Sequence, residues 1–236
     1  MPTQRLDKIL RHAGWGSRNE IHKLIHTQAV TVNGITCVAP DRKFDPQIAI
    51  IHLNGEDIDY QPNYTYILHK PAGLLTATTD AKQETVYSLL PMRLINMNLT
   101  PVGRLDKDTT GLLLLTTDGA LSHALTSPRR HVEKEYHITV DGVLRPEHIE
   151  IIVSGIILPD GLQCKPAKLN ILTNTTAELT ITEGKYHQVK RMMAALGCQV
   201  VKLHRSRVGG LRLEITLPPG QFRRLTVHEI EILSKT

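Results

Sequence analysis

The stretch PVGRLDKDTTGLLLL, residues 101 to 115, holds the densest chemistry in the chain. A polar turn from Gly103 to Gly111 carries Arg104, Asp106, Lys107 and Asp108, then runs directly into Leu112 to Leu115, short enough for a buried strand. Charge placed against a core strand costs free energy unless it is paired or used. The turn is therefore either an ordinary one capped by its own hydrogen bonds or a site. As a site it offers carboxylates, which act as bases, nucleophiles or metal ligands. The D-x-D pair of Asp106 and Asp108 lacks the further carboxylates that a two-metal centre needs, so no metal is expected.

Other familiar chemistries lose their usual support. The chain has no G-x-x-x-x-G-K-[ST] loop, G-x-S-x-G elbow, H-E-x-x-H helix or G-x-G-x-x-G turn. Of twelve histidines only His22 and His26 stand four apart, with no carboxylate at a ligand offset. Cys37, Cys164 and Cys198 are odd in number and far apart, which predicts three free thiols. No apolar run is long enough to cross a bilayer and the first residues lack a secretory pattern, so a cytoplasmic protein is expected.

The net charge of +5 is unevenly placed. Residues 1 to 44 carry seven Lys or Arg against three acids, 45 to 182 eleven against sixteen, and 183 to 224 nine against two. Two basic segments suit a polyanionic partner bound in a salt-dependent way.

The elements that must position these groups can be read from local pattern. Leu6, Ile9, Leu10 and Ala13 recur at helical spacing until Gly14-Trp15-Gly16. Ser17 and Glu20 form a capping box for a second helix bearing Ile21, Leu24 and Ile25, and Val30-Thr31-Val32 leads as a strand into the turn Asn33-Gly34. The exposed faces of these helices would hold Arg5, Lys8, Arg11, Arg18 and Lys23. The acidic, proline-containing stretch after Glu56 marks a linker, giving an N-terminal module of residues 1–58, a linker of 59–63 and a second domain of 64–236. In the second domain short Ile, Val, Leu and Thr strands alternate irregularly with short helices, which favours an α+β fold with a mixed, mostly antiparallel sheet flanked by helices.

GRLDKDTTG resembles the G-R-L-D signature of the RsuA/RluA class of pseudouridine synthases. HKPAG at 69 to 73, EKEY at 133 to 136, EGKYHQVKRMMAALG at 183 to 197, LHRSRVGG at 203 to 210 and PPGQFRRLT at 218 to 226 follow in that family's order. His69 and Met193 depart from the common Asn and Phe. The N-terminal module is similar to the αL RNA-binding motif of a small-subunit ribosomal protein, although Gln28 stands where that motif usually has Gly. QVKRM and the appended module together resemble the RsuA branch.

The resemblance implies conversion of uridine to pseudouridine in small-subunit (16S) ribosomal RNA, of the uridine-516 class, without a cofactor. The same chemistry on large-subunit RNA, or an inactive RNA-binding assembly factor, stands as the alternative. It further implies Asp106 as the essential aspartate, Tyr136 stacked on the target base, Leu203 as an apolar wall for the uracil, and Arg104 on a neighbouring phosphate. A working carboxylate in a water-poor pocket needs a cation beside it. Lys190 is the candidate, with Arg191 next to it on the same helix. Arg191 and Arg205 are expected to contact the substrate, and Arg207, Arg223 and Arg224 to grip the RNA backbone. Lys70-Pro71 is expected to fix a strand end beneath the site. The partners implied are ribosomal RNA, naked or in a partly assembled small subunit, and the protein is expected to be a monomer away from membranes.

Overall fold

In the computed structural model, which describes residues 3–236, strand β1 (Gln4–Arg5) leads into helix α1 (Leu6–His12) and helix α2 (Arg18–His26). Ser17 accepts a bond from the Glu20 amide while the Glu20 carboxylate accepts from the Ser17 amide, so the capping box is complete. Strands β2 (Val30–Val32) and β3 (Ile35–Thr36) form the hairpin on Asn33-Gly34, both left-handed. Gln28 also adopts φ 60°, a conformation that glycine takes without steric cost. β4 (Lys43–Phe44) pairs with β1, while β5 (Ile51–Leu53) and β6 (Glu56–Asp57) complete a four-stranded sheet of order β3-β2-β5-β6. Its core is Leu6, Ile9, Leu10, Ile21, Ile25 and the inward residues of β2 and β5.

Two boundaries differ from the sequence reading. Glu56 and Asp57 are strand, and the residues expected as linker pack onto this unit. Tyr64 is buried and donates its hydroxyl to the Asp59 carbonyl at 2.9 Å, and the His12 ring lies 5.3 Å from those of Tyr60 and Tyr64. The chain divides into two units, Met1–Tyr64 with Tyr87–Thr100, and Thr65–Val86 with Pro101–Thr236. The segment Tyr87–Thr100 includes α3 (Met92–Asn96), whose Arg93 guanidinium stacks 4.3 Å over Trp15 and pairs with Glu56 at 3.2 Å. Stacking and charge thus draw into the first unit a stretch expected in the second.

The second unit is built on β7 (Thr65–Lys70), β8 (Thr100–Pro101) and β9 (Thr110–Thr116), then α4 (Gly119–Thr126), β10 (Lys134–Asp141) and α5 (Glu147–Ser154). There follow β11 (Lys168–Ile171), β12 (Thr176–Ile181), α6 (Gln188–Ala195), β13 (Gln199–Val208), β14 (Leu211–Arg212), β15 (Phe222–Arg224) and α7 (Val227–Ser234). The sheet runs β11-β12-β10-β13-β9-β7-β15, with β14 beside β13 and β8 beside β9. Along that path every ladder is antiparallel except β13 with β9. The fold is thus α+β with a mixed, mostly antiparallel sheet. Leu112 to Leu115 are almost wholly buried, which explains why β9 shows no polar alternation.

Gly111 lets the parallel ladder form. It lies at φ +109° opposite Arg205, where a Cβ would stand 2.2 Å from the Arg205 carbonyl oxygen and 2.7 Å from its nitrogen. Gly111→Ala is expected to cost about 3 kcal/mol through strain and forced strand separation. Urea unfolding measures it, and a loss below about 1 kcal/mol would show that the strands part freely.

Candidate active site

Asp106 sits in the turn before β9, and two buried clamps hold that turn. On one side Thr76 donates its hydroxyl to the Leu105 carbonyl at 2.8 Å and accepts from the Leu105 amide at 3.2 Å. On the other, Lys70 is completely buried at the end of β7 and donates to the carbonyls of Pro71, Lys107 and Thr109 at 2.9 to 3.1 Å. Burial pushes the Lys70 amine down to about 8, although the charges of Asp108 and Asp106 favour its ammonium form. The Gly73 amide donates a further hydrogen bond to the Lys107 carbonyl at 2.8 Å. HKPAG therefore braces the aspartate loop from beneath.

The parallel register of β13 and β9 sets His204 opposite Thr110. Leu203 is then level with Thr109, three residues from Asp106. Antiparallel pairing sets Tyr136 of β10 opposite Arg205. A bulge in β13 at Ser206, where the register slips between Glu135 and Tyr136, aims that part of the strand. Asp106, Arg104, Tyr136 and Leu203 consequently line one cavity of about 70 Å³ with Thr109 and His187. Tyr136 and Leu203 are each 8% exposed, while Arg104 is exposed and forms no hydrogen bond or ion pair among the described residues. The Thr109 hydroxyl is buried and finds no hydrogen-bond partner among the described residues.

Helix α6 supplies the counter-charge. His187 takes a left-handed conformation just before it, and Gly197 lies at φ 76° beyond its end. The Lys190 ammonium lies 3.3 Å from Asp106 Oδ2 and 2.6 Å from Asp108 Oδ1. Burial works against the Lys190 charge, but the bond to Asp108 and the nearby charge of Asp106 outweigh it and raise the ammonium above its ordinary value. The same bond holds the Asp108 carboxyl below its usual range. Arg191, one residue on, turns away and pairs with Asp160.

One member of the site was not anticipated from sequence. His187 Nε2 lies 3.5 Å from Asp106 Oδ1, and its ring stacks at 3.9 Å on Tyr186. Its position inside KYHQVK, one residue ahead of the helix, was the available signal.

Several expected RNA contacts are occupied by protein. Arg207 bonds Glu133 at 2.9 Å and Glu135 at 3.2 Å, and Arg223 pairs with Glu214 and Glu229 at 2.7 and 2.6 Å. Although burial favours the neutral acid, bonds from Arg212, Ser206 and Arg207 hold the Glu135 carboxyl down at about 2. Arg205 is 4% exposed and donates to the Leu112 carbonyl at 2.8 Å, and Arg224 is half-buried on β15. None of these four stands as a free surface cation: acids take Arg207 and Arg223, burial and a carbonyl hold Arg205, and Arg224 is half-buried. In the first unit Lys8, Arg11, Arg18 and Lys23 are exposed. Arg5 is tied to Asp7 by two bonds of 3.0 Å, and Asp7, paired first with Arg5 against the penalty of burial, is held at about 2. Arg5, Lys8, Arg11 and Arg18 line a groove of about 250 Å³. The three cysteines are buried and unpaired, and no helix among the described residues is long and apolar enough to cross a membrane.

The chain is similar to known proteins over nearly its whole length. The chain is 41% identical over 235 residues to an uncharacterised RNA pseudouridine synthase of Bacillus subtilis, covering 98% of each. It is 40% identical over 229 residues to the ribosomal small subunit pseudouridine synthase A of Escherichia coli K12, covering 96% of this chain and 98% of that one. The same enzyme of Pasteurella multocida is 39% identical over 98% of this chain and its own whole length. A crystal structure of a pseudouridylate synthase superposes with a TM-score of 0.70 at 38% identity, covering 97% of this chain and 99% of that one. Residues 64–195, which contain the Asp106 turn, Tyr136 and Lys190, match the family model for RNA pseudouridylate synthase, and the chain belongs to that family.

Proposed function

We propose that the protein converts one uridine of small-subunit ribosomal RNA, of the uridine-516 class, to pseudouridine, with Asp106 as the reacting group. The observation that carries the reading is a carboxylate held between Lys190 and His187 at the wall of a cavity whose other walls are Tyr136 and Leu203. Near-full-length likeness to small-subunit synthases supports the choice of RNA.

The reaction breaks the C1′–N1 bond, turns the uracil and joins C5 to C1′. The C5 proton leaves and N1 ends protonated, so the atoms balance without oxidant, water or cofactor. A carboxylate beside C1′ can meet the positive character that develops there, remove the sugar proton or bond C1′ transiently. Both the glycal and the covalent route use Asp106. The uridine must be flipped out of its stack to present C1′, and the Tyr136 ring recovers part of the lost stacking energy. Arg104, exposed and uncommitted, is free to meet a phosphate.

In the first unit Lys8, Arg11, Arg18 and Lys23, with Arg5 at their edge, supply salt-dependent affinity. The enzyme works as a cytoplasmic monomer on naked RNA or a partly assembled small subunit.

The experiment is tritium release from C5-tritiated uridine in small-subunit and large-subunit RNA, each offered as transcript and as partly assembled particle. Release confined to small-subunit substrate is expected. Release from large-subunit RNA alone would move the substrate, and tight binding without any release would leave an assembly factor.

A further inference from the structure

A second cavity adjoins the first, and its chemistry is different. It encloses about 210 Å³ and shares Arg104, Tyr136, Gly184 and Lys185 with the Asp106 cavity as common walls. Lys134, Arg205 and Glu183 also face it, and Val102, Leu125 and Val208 close its apolar side. The single carboxylate is already spent: Glu183 Oε1 accepts from the Lys165 amide at 2.9 Å and Gln188 Nε2 at 2.7 Å, and Oε2 lies 3.4 Å from the Lys185 ammonium.

Lys134 has no such partner. Its ammonium donates to the Val132 carbonyl at 2.8 Å and forms no ion pair among the described residues. The neighbouring charge that acts on it is the Arg205 guanidinium, which repels it, and burial with that repulsion lowers the amine to about 8. Arg205, at 4% exposure, is itself held through a carbonyl. Two cations facing one cavity, one buried and one part-buried, with no acid of their own weaken a fold unless an anion arrives to meet them.

We propose that this cavity is a phosphate subsite, in which Lys134, backed by Arg205 and rimmed by Arg104 and Lys185, receives a phosphodiester flanking the flipped uridine. The common walls bring it within a nucleotide's reach of Asp106, as a linkage adjoining the reacting ribose requires. The inference rests on the uridine-isomerising reading of the Asp106 cavity.

The test uses the full chain and a small-subunit RNA fragment that the wild type converts. Affinity is measured against salt for wild type, Lys134→Gln, Lys134→Arg and Asp106→Asn, with a thermal midpoint for each. Lys134→Gln is expected to bind about tenfold more weakly and to lower the salt slope by about one, without a lower midpoint. Lys134→Arg should restore both. In RNA whose linkage on one or the other side of the target uridine is a neutral methylphosphonate, one of the two substitutions should weaken wild type similarly and Lys134→Gln no further.

Unchanged affinity and slope in Lys134→Gln, or weaker binding that merely tracks a lower midpoint, would overturn the subsite. So would a wild type indifferent to both neutral linkages. Product from Asp106→Asn would instead overturn the reading of the neighbouring cavity, while the salt slopes would still judge Lys134.

Discussion

Asp106→Asn is expected to lower turnover on the order of 10⁴-fold or more while RNA affinity stays within about twofold of wild type. The amide nearly matches the carboxylate in size but brings no charge to C1′ and cannot form the covalent bond. The surroundings should hold, because Lys190 keeps its 2.6 Å bond to Asp108 and the turn is braced by Lys70 and Thr76, not by Asp106. Tritium release and filter binding on the same RNA separate the two effects. Measurable product from the variant would remove Asp106 from the chemistry, and lost binding would make it a docking residue.

Lys190→Met should reduce kcat on the order of 100-fold with a smaller change in stability. The side chain fills much the same volume, but Asp106 and Asp108 would lose the ammonium they share. Like charges at that spacing favour protonation, so the acid limb of kcat against pH should move to higher pH. Asp108 is 72% exposed and its pair with Lys190 is screened, so the thermal midpoint should fall little. A wild-type pH profile in the variant would show that Lys190 acts on RNA phosphate and not on the aspartate. A collapse in stability with an unshifted profile would make it a structural residue.

The two lysines at the site differ in how sequence could reveal them. Only family likeness separates Lys190 from its neighbour in the sequence, since both lie in the first turns of α6. The three-dimensional path of the helix separates them: Lys190 meets the aspartate turn, and Arg191 is taken by Asp160, thirty-one residues earlier. Lys70 could be suspected of support because it precedes proline at a strand end. Its three carbonyl partners were invisible, since two lie thirty-seven and thirty-nine residues away and carbonyls carry no sequence signal.

What the amino-acid order determined by itself was local. The Ser17–Glu20 box, the Asn33-Gly34 turn and the buried Leu112–Leu115 strand depend on residues a few positions apart, and each lies where pattern places it. The ordered motifs also sufficed to identify the family. Tertiary structure decided what depends on partners distant in the chain. The basic segment of residues 183 to 224 reads as a phosphate-binding face in a linear count of charge. In the fold Arg207 and Arg212 meet Glu133 and Glu135, because the sheet sets β10 beside β13 and electrostatic energy falls with distance in space, not along the chain, while Arg223 is taken by Glu214 and Glu229 from its own end of the chain. The same proximity joins His187 to Asp106 and leaves Lys134 and Arg205 without an acid, two relations that exist only once the sheet has closed.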